Sequence, residues 1–160
     1  MAITRNIAAT YRGPGRVVQR LLSLGEREDR ALAYLMGACV LIFIAQLPRL
    51  AREAHLTGQE LNMLMGATLM AWVFIAPLLF YVIAFLARMV AQVLGGKGTA
   101  YGARLVLFWA LLATTPLILL HGLIAGFIGP GVQLQLVGLV WCAMFLWFWI
   151  GGTLVQEKRA

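Results

Sequence analysis

The stretch LVLFWALLATTPLILLHGLIAGFIGPGVQLQLVGLVWCAMFLWFWIGGTLVQ, residues 105–156, runs for 52 positions without an Asp, Glu, Lys or Arg. A helix rises 1.5 Å per residue, and about 20 apolar residues cross the roughly 30 Å hydrocarbon layer of a bilayer. The run is too long for one crossing and too short for three. Its break is Ile128-Gly129-Pro130-Gly131, because Gly-Pro-Gly is turn chemistry. Helices over about 104–128 and 132–155 follow.

Working outward, residues 61–87 are free of charge between Glu60 and Arg88, and residues 31–48 between Arg30 and Arg49. The first of these predicts one long helix, about 62–94, whose end runs along the interface before Gly95-Gly96. The second predicts a shorter helix, about 30–47, closed by Pro48, which removes a helix hydrogen bond. The expected fold is all-α: a polytopic membrane bundle of four transmembrane helices over 30–155. A segment over 1–29 precedes it and a short tail, 156–160, follows.

Composition excludes the main competitors. Of 160 residues, 62% are hydrophobic and 12% charged, with mean hydropathy +0.87. Soluble domains carry about 25% charged residues, so a water-soluble enzyme of this size is excluded, as is a disordered chain. The net charge is +7, and Arg supplies eleven of the thirteen basic residues. These charges lie at the ends of apolar blocks and not along one face. They suit anionic lipid headgroups rather than nucleic acid. The Arg, Ala and Gly bias points to a GC-rich bacterial genome.

Charge also orients the bundle. Six Arg precede residue 31, three bases lie in the loop 87–104 and two in the tail. The loop 48–61 carries two, balanced by two acids, and the loop 128–131 none. With the N-terminus inside, eleven bases face the cytoplasm and two the other side, in keeping with the positive-inside rule. Both termini are expected in the cytoplasm of a bacterial inner membrane. The first 30 residues lack the long apolar core of a cleavable signal, so the first span should act as the insertion signal.

Pro14-Gly15-Arg16-Val17-Val18-Gln19-Arg20-Leu21-Leu22-Ser23-Leu24-Gly25 reads as a short amphipathic helix, about 14–25. Val17, Val18, Leu21 and Leu22 share one face and Arg16, Gln19 and Arg20 the other, with Pro and Gly as end punctuation. Its expected place is the cytoplasmic interface, with Arg12, Arg16 and Arg20 on lipid headgroups. The competing reading is a helix packed on the bundle.

The spans hold no Asp, Glu, Lys or Arg in their middles. Proton relays and ion-coupled carriers place ionisable groups there, so a pump or secondary transporter is disfavoured. His121 reads first as a structural residue hydrogen-bonded to a neighbouring helix or an interfacial water; the sharper alternatives are a metal or haem ligand, or a proton acceptor, but a b-type haem needs a second axial ligand and the other histidine, His55, falls in a loop. Thr114-Thr115-Pro116 frees a carbonyl one turn earlier, which a threonine hydroxyl helps to satisfy; Pro77 has no such neighbour. Thr114, Thr115 and His121, with Tyr81, are the candidate lining of any cavity. Gly122 and Gly126 form a GxxxG, and Ala67/Ala71 and Gly138/Cys142 weaker versions. Such pairs let helices approach closely, within the bundle or across a dimer seam. The aromatic cluster Trp141, Phe145, Trp147, Phe148 and Trp149 reads as interfacial anchoring. Cys39 and Cys142 lack metal-ligand spacing, and Glu53, His55 and Glu60 read as solvated loop residues. No catalytic motif, metal site or cofactor site is expected.

The order of parts resembles the Yip1 domain family. The resemblance covers about 14–155. It rests on the Pro14–Leu24 stretch, two spans, the Gly95-Gly96-Lys97-Gly98-Thr99-Ala100-Tyr101 hinge, and a span with a central proline, Pro116. Yip1 domains commonly have five spans, so the resemblance implies a reduced version, or short helices hidden in the 105–156 run. It also implies a non-catalytic protein acting through partners or lipids, and no site residue transfers with it. The leading expectation is a protein that organises or helps assemble membrane components, with anionic lipids and other integral membrane proteins as partners and homo-oligomers as an option. The alternatives are a small permease, channel or lipid transporter, and an accessory subunit of a larger complex.

Overall fold

The computed structural model describes residues 3–159, and no strand occurs among them. Met1, Ala2 and Ala160, the outermost residues of the expected terminal segments, lie outside the described residues. The helices are α1 (Ile3–Thr10), α2 (Pro14–Ser23), α3 (Glu28–Thr57), α4 (Leu61–Leu69), α5 (Ala76–Val93), α6 (Ala100–Ala113), α7 (Thr115–Phe127) and α8 (Val132–Arg159). A π-helical turn, Met70–Ile75, joins α4 to α5 without a break.

Three helices, α3, α4–α5 and α8, are each long and apolar enough to cross a membrane. The count is four if α6 and α7, bent by 43° at Thr114, form one span. The bend has a local cause. Pro116 offers no N–H to the Leu112 carbonyl, and the Thr115 hydroxyl donates to that oxygen instead, at 2.7 Å. Thr114 donates to the carbonyls of Ala110 and Leu111, both at 3.0 Å. Pro77 has no threonine beside it, and the π turn directly precedes it. A widened turn of this kind accommodates a carbonyl that has lost its partner.

Helix ends differ from expectation in three places. Pro48 does not close the first span: α3 continues through it to Thr57, where Gly58 caps it in the left-handed region at φ 75°. Pro48 sits against Gly126, and packing of this kind holds a helix together through a proline. His55 therefore lies in the last turn of α3 and not in a loop. The sixth helix starts at Ala100, four residues earlier than 104, because the Thr99 hydroxyl caps it by accepting from Gly102 N at 2.9 Å. Finally, Gln156 and Glu157 belong to α8 rather than to a tail.

Cross-helix contacts set directions. Glu28 pairs with Arg104. Tyr34 packs edge-on to Trp109 at 5.1 Å, and Gly126 abuts Pro48, so α3 runs parallel to α6–α7. Gly152 meets Val106 and Gln156 meets Gly102, so α8 runs antiparallel to α6. Tyr81 packs on Phe108 at 5.0 Å, and Arg88 reaches Glu157, so α5 is antiparallel as well. Glu28, Arg88, Arg104 and Glu157 thus gather at one end, and Arg52 and Gly129 at the other.

The centre of the bundle is α6. Every residue from Leu105 to Ala113 is buried, as suits a helix that is apolar all round. By contrast α5 and α8 expose long apolar rows, such as Leu78, Val82, Phe85, Leu139 and Leu154. Rows of this size mark surfaces that meet lipid or another protein.

Candidate functional site

Helix α2 turns Val17, Val18 and Leu21 into the bundle, where each is 1–2% exposed. Gly15 abuts Val155, and Val18 approaches Gly152. Ahead of it, α1 folds back as the other arm of a hairpin, a helix not foreseen from the sequence. Trp109 Nε1 donates to Thr10 Oγ1 at 3.0 Å, and Tyr11 Oη to the Ala113 carbonyl at 2.7 Å. Burial pushes the Tyr11 phenol above its ordinary pKa. Its ring meets Phe148 edge-on at 5.0 Å. The hairpin therefore packs along α6 and α8, while Arg12, Arg16 and Arg20 stay exposed. They share one groove with Arg5.

Gly122 and Gly126 face α3. A Cβ on Gly122 would collide with the Ala45 carbonyl, and one on Gly126 with Pro48. This contact lies within one chain.

A cavity of about 490 Å³ opens beside α6. Leu107, Leu111, Ile118 and His121 of α6–α7 form its back, and Ile42 and Gln46 of α3 join them. Trp72, Phe80 and Ile83 line one side; Gly138, Trp141, Cys142, Phe145 and Trp149 line the other. Trp72 belongs to the π turn. The wall along α8 runs from residue 138 to 149, roughly 16 Å at 1.5 Å per residue. Of the expected lining, only His121 is present. Thr114 and Thr115 are buried and bonded to backbone carbonyls, and Tyr81 packs on Phe108 instead.

The aromatic cluster of α8 divides between faces. Trp141 stacks on Phe145 at 5.3 Å and Phe145 tilts against Trp149 at 5.7 Å, making an aromatic wall for the cavity. Phe148 is core, and Trp147 is exposed. The spacing 141, 145, 149 marks one helix face, so the sequence held this signal. Trp141 Nε1 is buried without a partner among the described residues, which is unusual for an indole donor. Gln46 and His121 place the polar groups at the end of the cavity away from the Arg88–Glu157 layer.

That layer lies towards the other end of the bundle and contributes no residue to the cavity lining. Arg88 Nη1 lies 3.0 Å from both Glu157 oxygens. Glu157 also accepts from Gly98 N at 2.8 Å and from Gln156 Nε2 at 2.7 Å, and Gln156 accepts from Thr99 N at 2.9 Å. The glycine hinge is thus clamped by α8. Cβ atoms at Gly96, Gly98 or Gly102 would collide with the Glu157 or Gln156 side chains. Among the described residues no group of three or more His, Cys, Asp or Glu is placed to hold a metal ion.

These features define an all-helical protein with three to four helices able to cross a membrane. Comparison with protein-family models, with curated proteins and with solved structures returned no match.

Proposed function

We propose that the chain is a non-catalytic, four-span protein of the bacterial inner membrane, similar to Yip1-domain proteins, that organises membrane components by holding a lipid hydrocarbon chain in its lateral cavity. Both termini face the cytoplasm in this reading, on the strength of the positive-inside asymmetry. The cavity carries the proposal: an aromatic slot of about 490 Å³, within the range of small-ligand sites. Its walls are apolar except at Gln46, His121 and Cys142, which suits an alkyl chain and not a hydrated solute. A lipid-moving activity is the second reading, favoured by polar groups gathered at one end of the slot.

The test uses Cys142, which is exposed and lines the cavity. In a Cys39→Ala background, neutral phosphatidylcholine in detergent should slow alkylation of Cys142 by N-ethylmaleimide at least fivefold. A cysteine at Leu139, 67% exposed outside the cavity, should slow less than twofold in a Cys142→Ala background. Equal slowing of both thiols would mean that the slot holds no chain.

A further inference from the structure

The α1–α2 hairpin carries a second site, independent of the cavity. Its outer side forms a groove of about 420 Å³ whose floor includes Ala8, Ala9, Gly13 and Val17 and whose rim is Arg5, Arg12, Arg16 and Arg20. All four arginines are exposed. Among the described residues no carboxylate pairs with any of them; the acids that do pair serve Arg27, Arg49, Arg88 and Arg104. Arg20 Nη1 donates to Asn6 Oδ1 at 3.4 Å.

Four like charges around one groove repel each other, and Arg16 and Arg20 stand one helical turn apart, where like charges destabilise a helix. The fold nevertheless holds them together. The apolar face of α2 is locked on α8 and α6, and Trp109 and Tyr11 pin the turn between the two arms. The guanidinium fork matches phosphate oxygens in a bidentate way. Small floor residues leave room for the anion between the arms.

We propose that this groove seats the phosphate of an anionic membrane lipid. The lipid is the source because the hairpin flanks the last turns of α8, at Gly151, Gly152 and Val155, beside exposed apolar surface suited to acyl chains, such as Ile150 and Leu154. A phosphate held there has its own chains lying against α8. A neutral lipid offers the same phosphate but brings a cation with it, which the four arginines repel.

The experiment titrates the full-length protein in neutral detergent with fluorescent short-chain phosphatidylglycerol and, separately, phosphatidylcholine. The variants are Arg12→Gln/Arg16→Gln and Arg5→Gln/Arg20→Gln. The control, Arg49→Gln/Arg52→Gln, removes equal charge at the other end of the bundle. Each hairpin pair should weaken phosphatidylglycerol binding tenfold or more, with the control within twofold and phosphatidylcholine weak throughout. Arg12→Lys/Arg16→Lys should fall between, because charge remains while the fork is lost. Equal losses in the control would reduce the effect to bulk charge and overturn the proposal. So would equal binding of phosphatidylcholine, or full displacement of the lipid by 10 mM inorganic phosphate, which would identify a site for a free anion. All exchanged side chains are exposed, apart from half-buried Arg52, and unchanged melting of each variant accompanies the titration.

Discussion

Replacing Glu157 by Ala tests the clamp most severely. Its carboxylate faces Arg88 Nη1 at 3.0 Å from each oxygen and accepts from Gly98 N and Gln156 Nε2. Both charged side chains are 13% exposed, so solvent screens the pair little. Removing one partner of a buried pair costs about 3–5 kcal/mol, because the remaining charge is left uncompensated. Glu157→Gln keeps an acceptor for Gly98 N but loses the charge, and should cost about half as much. The assay is unfolding in mixed micelles by increasing SDS fraction, followed by tryptophan fluorescence. A double-mutant cycle with Arg88→Ala isolates the pair, and a coupling of about 2–3 kcal/mol is expected for contacting residues of this kind. If Glu157→Ala unfolds within about 1 kcal/mol of wild type, roughly the worth of a surface pair, the clamp is a surface contact and the reasoning fails.

Three further outcomes are checked by the same titration. Gly122→Val drives a side chain into the Ala45 carbonyl and should separate α3 from α7 at a cost of about 2–3 kcal/mol, as overpacking does; Gly66→Ala, with open space around it, should be neutral or slightly stabilising. Tyr11→Phe removes the bond to the Ala113 carbonyl and should cost about 1 kcal/mol, with faster tryptic cleavage after Arg12 and Arg16 as the hairpin loosens. Thr99→Ala uncaps α6 and should cost about 1 kcal/mol, a loss that Thr99→Ser should largely avoid.

What the sequence disclosed was set by local chemistry. Charge-free runs located the apolar helices, and Gly129, at φ 90°, ends α7 in the turn that Gly-Pro-Gly foretold. Of the two threonines before Pro116, Thr115 bonds the freed Leu112 carbonyl as its position suggested, and Thr114 bonds the carbonyls of Ala110 and Leu111. What it concealed depended on distant partners. Proline reads as a stop, yet α3 passes through Pro48 because α7 packs against it at Gly126. Glu157 reads as a tail charge until Arg88, 69 positions away, is brought beside it. The α1 helix is eight residues long, too short to stand without the Trp109 and Ala113 anchors. The cavity escaped because Thr114 and Thr115 look polar enough to line it but satisfy their own backbone instead. The aromatic face of α8 is visible in the sequence as a cluster, but its division among cavity, core and exposed surface follows from where α6 lies. The Gly-Gly-x-Gly hinge has two physical reasons: the left-handed φ of 88° at Gly95, and the room that Glu157 and Gln156 require at Gly96 and Gly98.

The reading rests on four crossings that alternate in direction, and single-cysteine topology mapping addresses this most directly. In a background with Cys39 and Cys142 replaced by Ala, Gln59→Cys, Lys97→Cys and Lys158→Cys are each labelled in right-side-out and inverted vesicles with an impermeant maleimide. Lys97→Cys and Lys158→Cys should react only in inverted vesicles, and Gln59→Cys only in right-side-out ones. Labelling of Gln59→Cys and Lys97→Cys from the same side would contradict the account.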